Sequence, residues 1–418
     1  MKRRLLPILM TLVLVCALPI WAAFVTSGDV TNPLVSTADA TSPPEPAEVS
    51  TATDLQKKID AGKSVKLMAD ISITSTLKIS SSLTLDLNGY VLKMTGSGSV
   101  LKVSDRATLT ITDSSAAKSG TITGGNAEDG GGVYVEAYAT LEMTGGCITG
   151  CRAVDGGGVY VDYNATLKMT GGCITDCHAS YGGGGIYSYE NLYMGGTAKI
   201  EKCTSKWGSD DAIWNREKCN IYADGGTVDG TVNNQGTIRR SEGAAAETVF
   251  NGTVYNRSAG TIIAGIYNET VENNGTITGG TFYGPIVNEV GSGQVTGGTF
   301  AVTFDRGDGT KTGPELVGYK GTVSRPPSDP EKSGHTFTGW YLSDEKYNFD
   351  TPVTAPLTLT AKWEKVPSSG GYYYYQPTTD TKTDGTKGSP KTADPGVALY
   401  AALSLLSLTG LTCATKKR

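Results

Sequence analysis

The sequence predicts an all-β protein: a right-handed parallel β-helix, that is a solenoid, followed by a small β-rich repeat module, with an N-terminal signal and a C-terminal transmembrane helix. Three observations predict it. A 26-residue unit repeats without a gap in the middle of the chain. Short apolar–polar alternation, broken by Ser, Asn and Gly, runs to about residue 300 with no helix-period segment of useful length. Glycine accounts for 55 of 418 residues, and it has no third-residue period of the collagen kind.

The elements follow in chain order. Residues 1–23 read as a secretory signal peptide: Lys2, Arg3 and Arg4 precede an apolar run from Leu5 to Ile20, and Ala22-Ala23 offers small residues for cleavage. Residues 24–50 are Ser/Thr/Pro-rich and read as a flexible spacer. The stretch "TDLQKKIDA" (53–61) reads as a short helix, with Thr53 or Asp54 as its cap and Leu55 and Ile59 on one face. It would close the open edge of the first coil of the β-helix assigned to 51–300.

The repeat decides the fold. "DGGGVYVEAYATLEMTGGCITGCRAV" (129–154) aligns with "DGGGVYVDYNATLKMTGGCITDCHAS" (155–180), and a third copy follows at 181–205 with small indels. Each copy holds three short strands, such as "VYV", "TLEM" and "CIT", separated by Gly-rich corners. One such coil cannot bury its own apolar face, whereas stacking at about 4.8 Å per coil buries a continuous core. From residue 220 the unit shortens, which predicts thinner coils of loosely specified register.

The cysteines recur with the coils. Strand alternation turns Leu141, Met143 and Ile148 inward and Cys147 outward, with Cys173 one coil above it. Cys151, Cys177 and Cys203 are placed inward as a ladder. Within one copy the two cysteines lie roughly 13 Å apart, too far for a bridge, while neighbouring coils bring Cα atoms to about 5 Å. Stacked thiols and a Cys147–Cys173 disulfide therefore both remain open. A metal site needs four converging thiolates, which this stack does not supply, so neither a metal nor a cofactor is expected.

Two patterns bear on function. Glu136 with Asp162, and Asp129 with Asp155, stack as like-charged pairs that could hold calcium or activate water in a polysaccharide-active enzyme; no Arg or Lys accompanies them at a fixed spacing, and His178 and His335 lack recurring partners. Tyr134 and Tyr160 face outward one coil apart, and Tyr187 follows with a one-residue slip. This ridge is either a platform for sugar rings or a protein partner, or a cross-strand ladder that stabilises the sheet. No catalytic residue is assigned.

Residues 301–365 carry "GHTFTGWY" (334–341), Phe349 and a terminal "AKW" (361–363). This segment resembles a Listeria–Bacteroides repeat, also called the internalin B-type repeat, with His335 where Tyr is usual. The resemblance implies a small β-grasp-like module of bacterial surface proteins, without catalysis. From the residues themselves, Trp340, Phe337 and Trp363 are its expected core. The coils resemble the right-handed β-helix surface proteins of gut Firmicutes, in which Asn often stands where this chain has Cys151, Cys177 and Cys203.

Residues 366–388 form a Gly/Thr/Pro-rich linker with a Tyr run. In 389–418, "SPKTAD" precedes an almost uncharged stretch, 397–415, long enough for about one bilayer core as a helix, and then Lys416, Lys417 and Arg418. This tripartite order resembles a Gram-positive sortase sorting signal with Ser389 and Ala393 in place of Leu and Gly. It implies cleavage between Thr392 and Ala393, a sortase and cell-wall peptidoglycan as partners, and a membrane-inserted precursor. Without both processed ends the chain keeps 30 basic and 40 acidic residues of its original 36 and 41, which argues against nucleic acid. The expected function is a wall-anchored adhesin on the extracellular face, binding a host or dietary glycan or protein. A polysaccharide-active enzyme and a passive stalk are the alternatives.

Overall fold

A computed structural model describes residues 45–206 and 211–367. Those residues are nearly all β-structure, in long parallel ladders of short strands that form a solenoid. Three ladders run its length. The first begins with Ala47–Val49 on Val65–Leu67 and descends to Gln294–Val295. The second is a ten-stranded parallel sheet from Leu77–Ile79 to Ile286–Asn288. The third runs from Ile71–Ile73 to Thr299–Asp305. The first strand, Ala47–Val49, falls inside the stretch that composition marks as spacer.

A single helix among the described residues, Ala52–Asp60, follows that strand and buries Leu55 and Ile59. Its cap is Thr51 rather than Thr53 or Asp54: the Thr51 hydroxyl accepts from the Asp54 amide at 3.2 Å, satisfying one of the first-turn donors.

The 26-residue copies stack in register, Val133 on Val159, Leu141 on Leu167 and Ile148 on Ile174. Strand alternation turns Val133, Val135, Leu141, Met143 and Ile148 fully inward, each contributing about 1.5–3 kcal/mol relative to exposure. A fourth strand closes these wide coils, and Arg152–Asp155, His178–Gly182 and Thr204–Ser205 form a small sheet of their own. The Gly-rich corner is sterically required: a Cβ on Gly157 would stand 2.5 Å from the His178 carbonyl oxygen and 2.6 Å from that of Gly184, one coil on.

Below Ser188 the coils narrow, and the second ladder's inward column changes chemistry. Val135 and Val161 give way to Ser188 and then to Asn215, Asn234, Asn256, Asn273 and Asn288. Each side-chain amide donates to the next at 2.8, 2.9, 2.8 and 2.7 Å, over separations of 19, 22, 17 and 15 residues. A second hydrogen bond from each of the first four reaches a backbone carbonyl at a corner, such as Gly236 at 3.0 Å and Thr276 at 3.3 Å. On the opposite wall Phe250, Tyr267, Phe282 and Phe300 stack inside with centroids 5.0, 4.8 and 5.8 Å apart.

The strand Thr299–Asp305 is both the last rung of the third ladder and the first strand of the C-terminal module. There it pairs antiparallel with Lys311–Gly318 and parallel with Leu357–Lys365, which in turn pairs with His335–Leu342. Of the expected core trio, Trp340 alone is enclosed, edge-on to Phe304 with centroids 4.9 Å apart. Phe337 and Trp363 are half-buried around it, and Phe304, Val353 and Leu359 complete the core.

No helix among the described residues is long and apolar enough to cross a membrane. The signal at 1–23, the linker and sorting signal with Thr392 and Ala393, and the span 397–415 lie outside the described residues.

Candidate ligand-binding face

The outward column of the second ladder reads Lys78, Lys102, Tyr134, Tyr160, Tyr187, Trp214 in successive coils. Period-2 alternation and in-register stacking place these side chains above one another. Ring centroids follow at 5.4 Å from Tyr134 to Tyr160, 5.8 Å to Tyr187 and 6.2 Å to Trp214. Tyr163 and Tyr189, at the corner beside the column, lie 4.6 Å apart, and Tyr163 is exposed.

The three predicted tyrosines are thus brought together, but they are not equally open. Tyr134 and Tyr160 are half-buried, whereas Tyr187 is 2% exposed. A one-residue insertion between Ala179 and Gly182 slips its register, and Trp214 and Tyr189 close over its ring. An exposed ridge through all three is therefore corrected to an open pair, Tyr134 and Tyr160, with Tyr187 as its covered end. The Tyr160 and Tyr187 rings are within 2° of parallel, so part of each ring face is spent on its neighbour.

Charged groups flank the column on both sides. On one side Asp129 and Asp155 bridge in parallel, and Asp211 accepts from the Gly183 amide at 2.9 Å. Burial, then the charges of Asp155, Glu128 and Asp162, push the Asp129 carboxyl up. Burial likewise raises Asp155 and Asp211, against opposing hydrogen bonds. On the other side the Tyr134 hydroxyl donates to Asp162 at 3.1 Å. Burial and that carboxylate push the Tyr134 phenol up, so it stays protonated at neutral pH.

Cations stand beside this face, though not at the repeat's spacing. Lys102 pairs with Glu136 at 2.8 Å and lies 5.0 Å from the Tyr134 centroid. Arg216 donates to the Tyr187 hydroxyl at 3.2 Å and lies 5.0 Å from the Tyr189 centroid. They escape a search at period 26 because the coils carrying Lys102 and Arg216 differ in length from the repeat. At the upper end of the column, Lys78, Lys102, Asn126, Glu128, Asp129 and Tyr134 line an open cleft of ≈ 500 Å³.

The cysteines divide by face. Cys147 and Cys173 point outward in the third ladder, with Cα atoms 4.5 Å apart, and are joined as a disulfide. Cys151, Cys177 and Cys203 are buried free thiols on the inner side of the corner. Cys177 sits between the other two, and its thiol contacts with both, together with burial, push it well above an ordinary thiol. The described residues contain no group of three or more His, Cys, Asp or Glu arranged to hold a metal. His178 contacts the Thr204 hydroxyl at 2.8 Å, and His335 the Ser333 carbonyl at 2.9 Å.

Against this geometry, comparison with known proteins places the C-terminal module. Residues 300–362 are a Listeria–Bacteroides repeat domain. A protein of Evansella cellulosilytica named as a Gly-rich membrane protein is 38% identical over 69 residues, which is 16% of this chain and 8% of that one. A second from the same organism, named as a membrane protein, is 35% identical over 68 residues, 15% of this chain and 10% of the relative. The chain thus spans a tenth or less of the curated relatives it matches. No solved structure matches it. The repeat and the relatives' names together suggest a surface or membrane-associated protein.

Proposed function

We propose that the chain is a non-catalytic adhesin of the cell surface, a right-handed β-helix that offers the Tyr134–Tyr160 face to a glycan or protein. The observation that carries this reading is the outward column Lys78–Lys102–Tyr134–Tyr160, half-open and bordered by carboxylates, running along the solenoid rather than into a closed pocket. Elongated ligands suit a groove of that direction, and tyrosine supplies both contact area and a hydroxyl. In this reading the Listeria–Bacteroides repeat is an internalin B-type, β-grasp-like spacer. The segment 389–418 is read by a sortase that joins Thr392 to peptidoglycan, leaving the protein at the wall after a membrane-inserted stage.

One observation favours a second reading. Asp129, Asp155 and Asp211 are carboxyls raised by burial beside the same column, a property useful to a polysaccharide-cleaving acid. A passive stalk is the third reading, supported by the ring-on-ring stacking of Tyr160 and Tyr187.

Retention of the purified chain on mucin and plant polysaccharides, with released oligosaccharides measured in parallel, separates the three. The adhesin reading expects retention without products, reduced at least fivefold in Tyr134→Ala/Tyr160→Ala. Products that vanish in Asp129→Asn would replace it with the enzyme, and no retention on any glycan or surface protein would leave the stalk.

A further inference from the structure

The Tyr134–Tyr160 face carries more negative charge than its own cations answer. Glu128, Asp129 and Asp155 border it on one side and Asp162 on the other. None of these four carboxylates forms an ion pair among the described residues, while Lys102 is taken by Glu136 at 2.8 Å. Glu128 is exposed and the three aspartates are half-buried, so all four keep access to solvent.

The column itself shows how a cation sits against it. The Lys102 ammonium lies 5.0 Å from the Tyr134 centroid. Two rungs further, the Arg216 guanidinium lies 5.0 Å from the Tyr189 centroid and donates to the Tyr187 hydroxyl at 3.2 Å. Tyr160 stands between these two arrangements and has neither. Among the described residues no cation lies over its ring and its hydroxyl makes no hydrogen bond. Burial, then the charge of Asp129, with that of Asp162 adding to it, pushes the Tyr160 phenol up. Sugar rings are a poorer match for this surface. Tyr160 turns one ring face to Tyr187, within 2° of parallel, and Tyr134 turns one to Lys102. Acidic glycans would add charge of the wrong sign. What stays open beside the rings is a phenolic oxygen and a set of carboxylates, all acceptors, and a planar guanidinium with five donors answers that set.

We infer that the partner of this face is a protein presenting an arginine-rich segment, with one guanidinium seated at Tyr160 between the Asp129–Asp155 pair and Asp162. The inference rests on the adhesin reading and narrows its partner. Arg216 on Tyr187 and Tyr189 is the intramolecular copy of the contact.

The test uses the full-length chain in mild detergent and follows the fluorescence anisotropy of labelled hexa-arginine at an ionic strength of about 0.15 M. Saturable binding is expected, weakened about tenfold or more in Asp129→Asn/Asp162→Asn and about threefold in Tyr160→Phe, which removes the hydroxyl and keeps the ring. Asp162 also holds the Tyr134 hydroxyl, so melting is read alongside. Glu128→Gln, a change at an exposed residue, leaves the fold alone and should itself weaken binding about twofold. Glu242→Gln/Glu269→Gln removes the same charge as the double aspartate variant from exposed sites on the thin coils. It should leave the affinity in place, which separates a site from the general attraction of an acidic chain. No saturable binding at millimolar hexa-arginine, an equal loss in Glu242→Gln/Glu269→Gln, equal binding of hexa-glutamate, or tighter binding of a glucosamine trimer would each overturn the assignment. Retention on the polysaccharides, lost in Tyr134→Ala/Tyr160→Ala, would in those cases keep the adhesin reading, and its absence would remove that reading as well.

Discussion

The wide coils above Ser188 and the thin coils below it solve the same packing problem with different chemistry. In the second ladder's inward column the wide coils place Val135 and Val161, and the thin ones Asn234, Asn256 and Asn273, all fully buried. The coils of Val135 and Val161 each carry a fourth strand at the corner, Arg152–Asp155 and His178–Gly182, and the column above them continues in aliphatic residues, Val103 and Ile79. A thin coil has no such strand. Its corner carbonyls turn inward, and the asparagine amides pair with them and with each other. A buried amide is costly alone and tolerable in a satisfied row. The row has one open end: Asn215, the first rung, has an unpaired Oδ1 beneath Ser188. The aromatic column from Tyr134 to Trp214 belongs to the wide coils and their boundary.

Exchanging the two chemistries should break each half. Asn256→Val copies the wide-coil residue but strips Asn273 Oδ1 of its donor and the Thr276 carbonyl of its partner. We expect a loss of about 3–4 kcal/mol, against about 1–3 for one unsatisfied buried group. Val161→Asn, the reverse change, places an amide between Val135 and Ser188 and should cost about 2–4 kcal/mol. Chemical denaturation measures both.

The disulfide sharpens the comparison, because among the described residues it lies in the wide half. Cys147 and Cys173 enclose a loop of about 26 residues, for which the chain-entropy account gives roughly 3.5 kcal/mol. Reductant should lower the melting of the wide coils and leave that of the thin coils in place. A smaller effect is expected at the thiol ladder. Cys177→Ala removes one buried sulfur between Cys151 and Cys203 and should cost about 1–2 kcal/mol, read by the same melt.

The smallest effect is one of pH. Asp113, also in the wide half, accepts from the amides of Gly89, Ser115 and Gly120 at 2.9, 3.0 and 2.6 Å. Burial alone would raise its carboxyl, but these bonds hold it below the ordinary 3.8. A lowered carboxyl stabilises the fold above the unfolded value and loses that contribution as pH falls through the folded one. Melting of the wide coils should therefore drop below about pH 3.8, and Asp113→Asn should flatten that drop.

Much of this was legible in the residues. The gapless copies at 129–180 specify coil, register and inward face together, because a slip by one residue would expose Leu141 and Ile148. What escaped did so for local reasons. Ala47–Val49 is three residues long and carries no period of its own. Thr51 caps a helix that starts before its apolar face does. The burial of Tyr187 is not legible in the sequence, because alternation tells which side of a strand a residue takes and not what later folds over it. Lys102 lies in a coil of another length from Glu136. The asparagine row was written in the chain as "VNN", "VYN", "VEN" and "IVN" (232–234, 254–256, 271–273, 286–288), a β-branched residue two before each Asn. Its shrinking spacing hid it from any fixed-period search. Trp340 stands out by type, but the cavity beside it arises only when the strands His335–Leu342 and Glu345–Lys346 meet the 325–329 segment.

Hydrogen exchange on Asn256→Val tests the central claim most directly, namely that the asparagine row holds the thin coils independently of the aliphatic wide ones. The account predicts lost protection across residues 231–288 with protection retained from 65 to 188. Unchanged protection in 231–288, or an equal loss along the whole solenoid, would contradict it.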